Sequence, residues 1–497
     1  MAAKRHRIAL KSAAAVAGAL VAGVAGFGIE PVRAAVESAA QAISPADKAQ
    51  GAKAHPELVA EFGGKLSGPQ ASYVEGVGKT IALQSGLGNA RSDFTVTLLN
   101  SSVNNAFAIP GGYVYVTRQL TALMNNEAEL AGVLGHEVGH VAARHSAKRQ
   151  QAATRNSVLG ALGSVLAGAV LGDSGFGRLG QQVFSQGSQL LTLKFSRTQE
   201  LEADNLGITY LRRAGYDPRA MATVLESLAR QNALDSQLRG SGAEVPQWAS
   251  THPDPASRVR TALTRAGAGA TGLTNRDKFL AGIDGLTYDD DPHQGLVEGR
   301  KFTHPDLRVS FEAPDGFYLV NSTKSVSISG QSGKAEFGSA AFDGNLDRYV
   351  ASVFAGLTSS NSAQVSPQTL ESATVNGIPA RYGVARAQTS SGTVDVTVFA
   401  YDFGGGKAYH FSAITQAGNA GVFNSMFRSV RRISTAEAGA VKPRRLAVVT
   451  VKAGDTVQSL AARMAYRDAP VDRFLVLNGL QPDARLTPGQ KIKIVTY

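Results

Sequence analysis

The sequence predicts an α+β protein of several domains, on three observations. Between residues 61 and 265 apolar residues recur mainly at helical spacing, broken by short alternating runs that read as strands. After Lys301 the texture changes to a succession of alternating runs with helical stretches among them, over residues 301–434. Residues 447–497 follow a basic stretch and form a third, small unit. With 497 residues, 43% of them hydrophobic, the chain is long enough to bury several cores.

The N-terminus supplies the compartment. Lys4, Arg5, Arg7 and Lys11 precede an alanine-rich apolar run from Ser12 to Gly28, and Val32-Arg33-Ala34 has the small-residue spacing of a processing site. This predicts an export signal over residues 1–34, removed after Ala34. The run is short for a spanning helix, so membrane contact is expected to be peripheral. Residues 35–60 are Ala-rich and polar and read as a loosely ordered linker. The chain has no cysteine, which excludes thiol catalysis, disulfides and Cys-based zinc sites. Its formal charge is +11; residues 1–34 carry five Lys/Arg and one Glu, so the remainder keeps +7. That charge suits anionic surfaces, but no basic stripe with interleaved aromatics marks a nucleic-acid partner.

From Gln70 to Leu83 the pattern is helical, and Phe94–Leu99 and Tyr113–Thr117 alternate as half-buried strands. The next helix carries His136-Glu137-Val-Gly-His140. At roughly 100° per residue, positions four apart share a face, so the two imidazoles can serve one metal ion. Glu137 stands beside them, able to take a proton from a water held there. Leu130, Val133, Leu134, Val138 and Val141 form the buried stripe. Gly132, Gly135 and Gly139 fall on a neighbouring arc at about 1 kcal/mol each against Ala, so another element is expected to approach that backbone closely. Val158–Leu171 is apolar, too short to span a membrane, and reads as a flap beside the site. A second helix begins near Ser196, where Ser196 and Gln199 have capping-box spacing, and it carries Glu200 and Asp204. Further on come Ser250-Thr-His252-Pro253 and Arg258, then a polar, Gly-rich linker over 266–300. Residues 301–434 hold no clustered His, Asp or Glu, and no catalysis is read there. Residues 435–446 read as a basic linker.

A catalytic zinc takes three protein ligands and keeps a fourth position open, so two histidines require a third donor. His145 lies nine residues past His136, about 180° around a continued helix, which reads as core packing. Position 146 is serine, which excludes the longer three-histidine motif. Glu200 and Asp204 share a helix face, while Glu202 points about 160° away from each. One of the pair can ligate the metal while the other holds an imidazole N–H.

Four blocks in order, Asn105-Ala-Phe-Ala-Ile-Pro-Gly-Gly-Tyr-Val-Tyr-Val-Thr117, Glu127 through His140, Phe195-Ser-Arg-Thr-Gln-Glu200-Leu-Glu-Ala-Asp204 and Ser250-Thr-His252-Pro253, resemble the M48 family of zinc metallopeptidases over residues 61–265. The resemblance implies a mainly helical zincin-type domain with a small edge sheet and one Zn2+ per chain. It implies His136, His140 and Glu200 as metal ligands and Glu137 as general base. Asp204 would be a supporting acid, and His252 an oxyanion stabiliser or gating ligand near the metal. The Asn105–Thr117 block would line the cleft, where an extended peptide adds as a strand. Glutamate's longer side chain agrees with Glu200 as the direct ligand. In the last unit, Val451-Lys-Ala-Gly454-Asp455-Thr456, Leu477-Asn478-Gly479 and Leu486-Thr-Pro-Gly489-Gln490 resemble a LysM module, a βααβ unit over 447–497 that binds N-acetylglucosamine-containing glycans; Val449 replaces the usual leading aromatic. The middle domain resembles the PsbP/Mog1-type α/β sandwich. Together these imply an exported zinc metalloendopeptidase of the periplasm or bacterial envelope. It would cut protein and peptide substrates, misfolded envelope proteins among them, and touch peptidoglycan through a module whose removal spares hydrolysis. The alternatives are a catalytically silent peptidoglycan-binding scaffold and a membrane-anchored protease.

Overall fold

The computed structural model describes residues 42–149, 195–239, 252, 254–357, 365–389 and 392–497; the export segment 1–34 and the apolar run Val158–Leu171 lie outside the described residues. Ser44 opens the first helix, α1 (Pro45–Glu61): its side chain accepts from Asp47 N at 3.0 Å, with Pro45 in the first turn. Of the stretch expected as a loose linker over 35–60, residues 35–41 lie outside the described residues, and Pro45 onward is corrected to helix. The Ser-Pro-x-Asp start outweighs the polar composition, and α1 then buries Ala54, Leu58 and Phe62 against Phe107, Ile109 and Tyr115 of a small sheet.

That sheet has β1 (Thr95–Leu99) parallel to β3 (Tyr113–Thr117), and β3 antiparallel to β2 (Ala106–Ile109), so β2 forms an edge. On its other side lie α2 (Pro69–Ala82), α3 (Arg118–Leu123) and α4 (Glu127–Ala142), the metal-motif helix. Residues Glu127 to His140 of α4 are buried all round, so the apolar stripe read from the sequence covers only part of what packs. The N-terminus of α4 is fixed by Asn126, which accepts from Glu129 N at 2.9 Å. Glu127 accepts from Tyr73 Oη at 2.5 Å, Tyr216 Oη at 2.8 Å and Asn275 Nδ2 at 2.8 Å.

The glycine arc of α4 receives α5 (Arg197–Arg213). A Cβ on Gly135 would lie 3.3 Å from Gly207 Cα, and one on Gly207 only 3.1 Å from His136 N, so the backbones meet where only glycines fit. Next come α6 (Ala220–Arg239), α7 (Pro255–Ala266) and α8 (Arg276–Ile283). The segment expected as a linker over 266–300 therefore contains a helix, and also the short strand β4 (Thr287–Tyr288). The structural reason is burial: Phe279, Leu280 and Ile283 supply an apolar face that joins the main core.

Among the described residues the middle domain is two antiparallel sheets, of seven and four strands, closing over Phe302, Val309, Phe311, Ile328, Phe337 and Phe411. A helix, Leu346–Gly356, covers the outer face of the larger sheet through Tyr349, Val350, Val353 and Phe354. The stretch read as a linker over 435–446 opens with a helix, Thr435–Ala440, set by a capping box between Ser434 and Glu437. It ends inside β5 (Arg444–Thr450).

The last unit runs β5, α9 (Val457–Ala461), α10 (Pro470–Leu477), β6 (Lys491–Thr496), with β5 and β6 antiparallel. It is not a detached bead. β5 also pairs with β4, making the order β6-β5-β4. Leu446, Leu460, Phe474, Ile492 and Ile494 belong to the same continuous core as Leu120, Leu130 and Leu134. Among the described residues no helix is long and apolar enough to cross a membrane.

Candidate metal centre

α4 presents His136 and His140 one turn apart, with their Nε2 atoms 3.0 Å from each other. The crossing of α4 and α5 brings Glu200 to them: its Oε2 is 3.6 Å from His136 Nε2 and its Oε1 is 3.5 Å from His140 Nε2. His252 arrives from the segment leading into α7, its Nδ1 lying 3.3 Å from His136 Nε2 and 3.1 Å from Glu200 Oε1. One donor atom from each of these four buried residues falls within 4.8 Å of every other. Metal–ligand bonds of about 2.0–2.1 Å at tetrahedral angles set neighbouring donors about 3.3 Å apart, so this group is of the right size and chemistry for zinc.

Asp204 stands one turn beyond Glu200 on α5 and takes His136 from behind, Oδ1 to Nδ1 at 2.9 Å. That contact fixes the ring so that Nε2 faces the donor group. Behind Asp204 is Arg258 of α7, buried and bonded to both carboxylates. Burial raises the Asp204 carboxyl, but its bonds to His136 and Arg258 prevail and hold its pKa at about 2. Glu200 is likewise raised by burial and driven the other way, far below the carboxylate range, by His252, His140 and His136. Burial pushes His140 well down, keeping it a neutral donor.

Glu137 is fully buried, and burial raises its carboxyl pKa. Neither of its oxygens has a hydrogen-bond partner among the described residues, and His252 Nε2 is 3.6 Å from Oε1. A buried orphan carboxylate beside a donor cluster is what a general base awaiting a water requires.

Two participants were not assigned from the sequence. The sequence marks Arg258 only by its place after Ser250-Thr-His252-Pro253. His145, read as core packing, stands with Nδ1 2.8 Å from His140 Nδ1 and Nε2 3.2 Å from Glu202 Oε2. The contact with His140 has a local cause. α4 stops at Ala142, and Arg144 takes φ 55°, which breaks the helical phase and turns His145 back onto His140. Phe195 covers the other side of His140, the rings stacked with centroids 3.8 Å apart.

Two imidazoles and a helix-borne carboxylate, with a second buried glutamate alongside, make a metal site of the kind metallopeptidases use. The chain accordingly carries a match to Peptidase family M48 over residues 69–266 and a LysM domain over residues 449–495. It is 35% identical over 197 residues to the Beta-barrel assembly-enhancing protease of Escherichia coli O157:H7, covering 39% of this chain and 38% of that protein. It is 33% identical over 217 residues to the Mitochondrial metalloendopeptidase OMA1 of Schizosaccharomyces pombe, covering 43% of this chain and 59% of that one. The chain thus spans less than two thirds of either relative's length. Among solved structures, cyanobacterial PsbP from Synechocystis aligns at 13% identity and TM-score 0.23, over 28% of this chain and 94% of that chain.

Proposed function

We propose that the protein is a zinc-dependent endopeptidase of the bacterial envelope, cutting unfolded or misassembled envelope proteins. The observation that carries this reading is the convergence of His136, His140 and Glu200 beside the buried Glu137 carboxylate, neither of whose oxygens has a hydrogen-bond partner among the described residues. Bound zinc supplies Lewis-acid polarisation of the scissile carbonyl and of the attacking water. Glu137 takes the water's proton and hands it to the leaving amine, for which its raised pKa is suited. Asp204 and Arg258 hold His136 and Glu200 in register, and His145 does the same for His140 from its far side.

His252 acts as a gating ligand. It lies within the donor group, where it would stand at the position a catalytic site keeps for water and would have to swing aside for substrate. The edge strand β2 offers backbone groups to an extended peptide, which favours unfolded chains over folded ones. The name of the Escherichia coli relative supports a link to β-barrel assembly, which motivates a β-barrel protein as the first substrate to try, and the LysM match supports contact with peptidoglycan. The test is digestion of an unfolded outer-membrane β-barrel protein with and without a chelator. Chelator-sensitive cleavage that spares the folded barrel supports the proposal, and no cleavage under zinc-replete conditions contradicts it. Binding to sacculi that persists at about 0.5 M salt separates glycan recognition from the attraction of the chain's positive charge.

A further inference from the structure

Lys493 lies on β6 of the LysM-matching unit, yet its side chain points out of that unit and is completely buried. Its Nζ donates to three successive carbonyls, Ala122 O at 2.7 Å, Leu123 O at 3.2 Å and Met124 O at 2.5 Å. These are the carbonyls left over where α3 ends, a place that favours a cation. The next carbonyl, Asn125 O, accepts from Arg276 Nη1 at 3.2 Å, and Arg276 Nη2 reaches back to Lys491 O of β6 at 2.9 Å. The turn between α3 and α4 is therefore held, carbonyl by carbonyl, from β6 and its neighbour. Lys493 is itself fixed, its backbone N bonded to Asn478 Oδ1 at 2.7 Å and its O to Asn478 Nδ2 at 2.8 Å.

This turn is where the metal helix starts. Glu129 Oε2 accepts from Asn125 N at 2.7 Å, and Asn126 caps the first turn of α4. His136 follows ten residues later, about 15 Å along a helix that is buried throughout and carries a displacement of its first turn rigidly. A three-donor ammonium facing three acceptors is fully satisfied, whereas a methionine of similar length would take the donor from Ala122 O and Met124 O and leave Leu123 O only Asn125 Nδ2, at 3.3 Å. Burial pulls the Lys493 ammonium pKa down, and the Glu129 carboxylate opposes that.

We propose that the C-terminal unit is an internal brace of the peptidase site, with Lys493 as a positioning residue that sets the start of α4 and through it the placement of His136, Glu137 and His140. The proposal rests on the peptidase reading of the site, but its tests read geometry as well as activity. In native-state hydrogen exchange of the full-length, zinc-loaded protein, amides of α4 and of β5 and β6 are expected to open together. Strands β5 and β6 exchanging through an opening that leaves α4 protected would overturn the brace. Cobalt-loaded Lys493→Met is expected to shift the visible absorption of the site and to lower kcat about tenfold or more with little change in KM. Ile492→Val, a trimming of the same strand's buried core, should leave both unchanged. A folded Lys493→Met protein with wild-type spectrum and kcat, or the two variants acting alike, would reduce Lys493 to a core residue. If Lys493→Met does not fold, the exchange result on the native protein decides. Wild-type protein that binds cobalt but cuts nothing would count against the peptidase reading alone.

Discussion

Arg258 meets the Asp204 carboxylate edge-on, Nε 2.8 Å from Oδ2 and Nη2 2.6 Å from Oδ1, while its remaining Nη1 reaches Glu200 Oε2 at 2.5 Å. One planar fork thus orients two carboxylates with different tasks, the proposed ligand and the acid that steadies His136. Lysine offers a point charge without the fork. Arg258→Lys is therefore expected to lower zinc affinity about 10- to 100-fold. Opening a buried pair also destabilises the fold, by about 3–5 kcal/mol for complete loss of a partner and less where the charge is kept. A competition titration with a chromophoric chelator, beside a thermal melt, measures both.

The three acids of α5 are expected to rank. Glu200→Gln should lose most bound zinc, and Asp204→Asn should keep it with affinity or activity down about 10- to 100-fold. Glu202→Gln is more than a bystander, since Glu202 holds His145 against His140, but its side chain is 48% exposed. An exposed pair contributes up to about 1 kcal/mol, so no more than about a fivefold loss is expected there. Zinc content after dialysis against a mild chelator checks the order. Zinc lost from the Glu202 variant and kept in the Glu200 variant would reverse it.

His252→Ala tests the gating role. As a gate, its removal should leave zinc on His136, His140 and Glu200 and raise turnover of a short unstructured peptide severalfold. A fall of about 100-fold or more would instead assign His252 to the transition state.

Truncation before residue 447 is expected to cost the peptidase domain its fold, contrary to what a separate module would allow. The cut uncovers the face that packs on Phe474, Ile492 and Ile494, at about 1.5–3 kcal/mol for each large side chain left exposed. Only a few such losses match the stability of a whole domain. Loss of the cooperative thermal transition in the truncated chain is the expected result, and an active, folded fragment is the contrary one.

What the sequence could and could not convey follows from the range of each signal. The i, i+4 pairing of His136 with His140 and of Glu200 with Asp204 is a property of one helix, and the glycine arc of α4 announced that another backbone would come close. Which backbone came, and that Arg258 would bind both carboxylates from residues 54 and 58 positions away, depends on how distant helices meet, which no local periodicity records. His145 is buried, as core packing requires, but its contact with His140 depends on Arg144 leaving the helical region, which periodicity does not record. Composition also misled at α1: the residues are polar on average, but Leu58 and Phe62 are aimed at one face.

The central claim is that Glu137 is the base of a zinc peptidase, and Glu137→Gln tests it most directly. The amide is nearly isosteric, touches none of the proposed ligands by hydrogen bond, and cannot accept the proton. The purified variant should hold one zinc per chain and melt like wild type, while peptide hydrolysis falls about 10²- to 10⁴-fold. Near-normal turnover by zinc-replete Glu137→Gln would contradict the account.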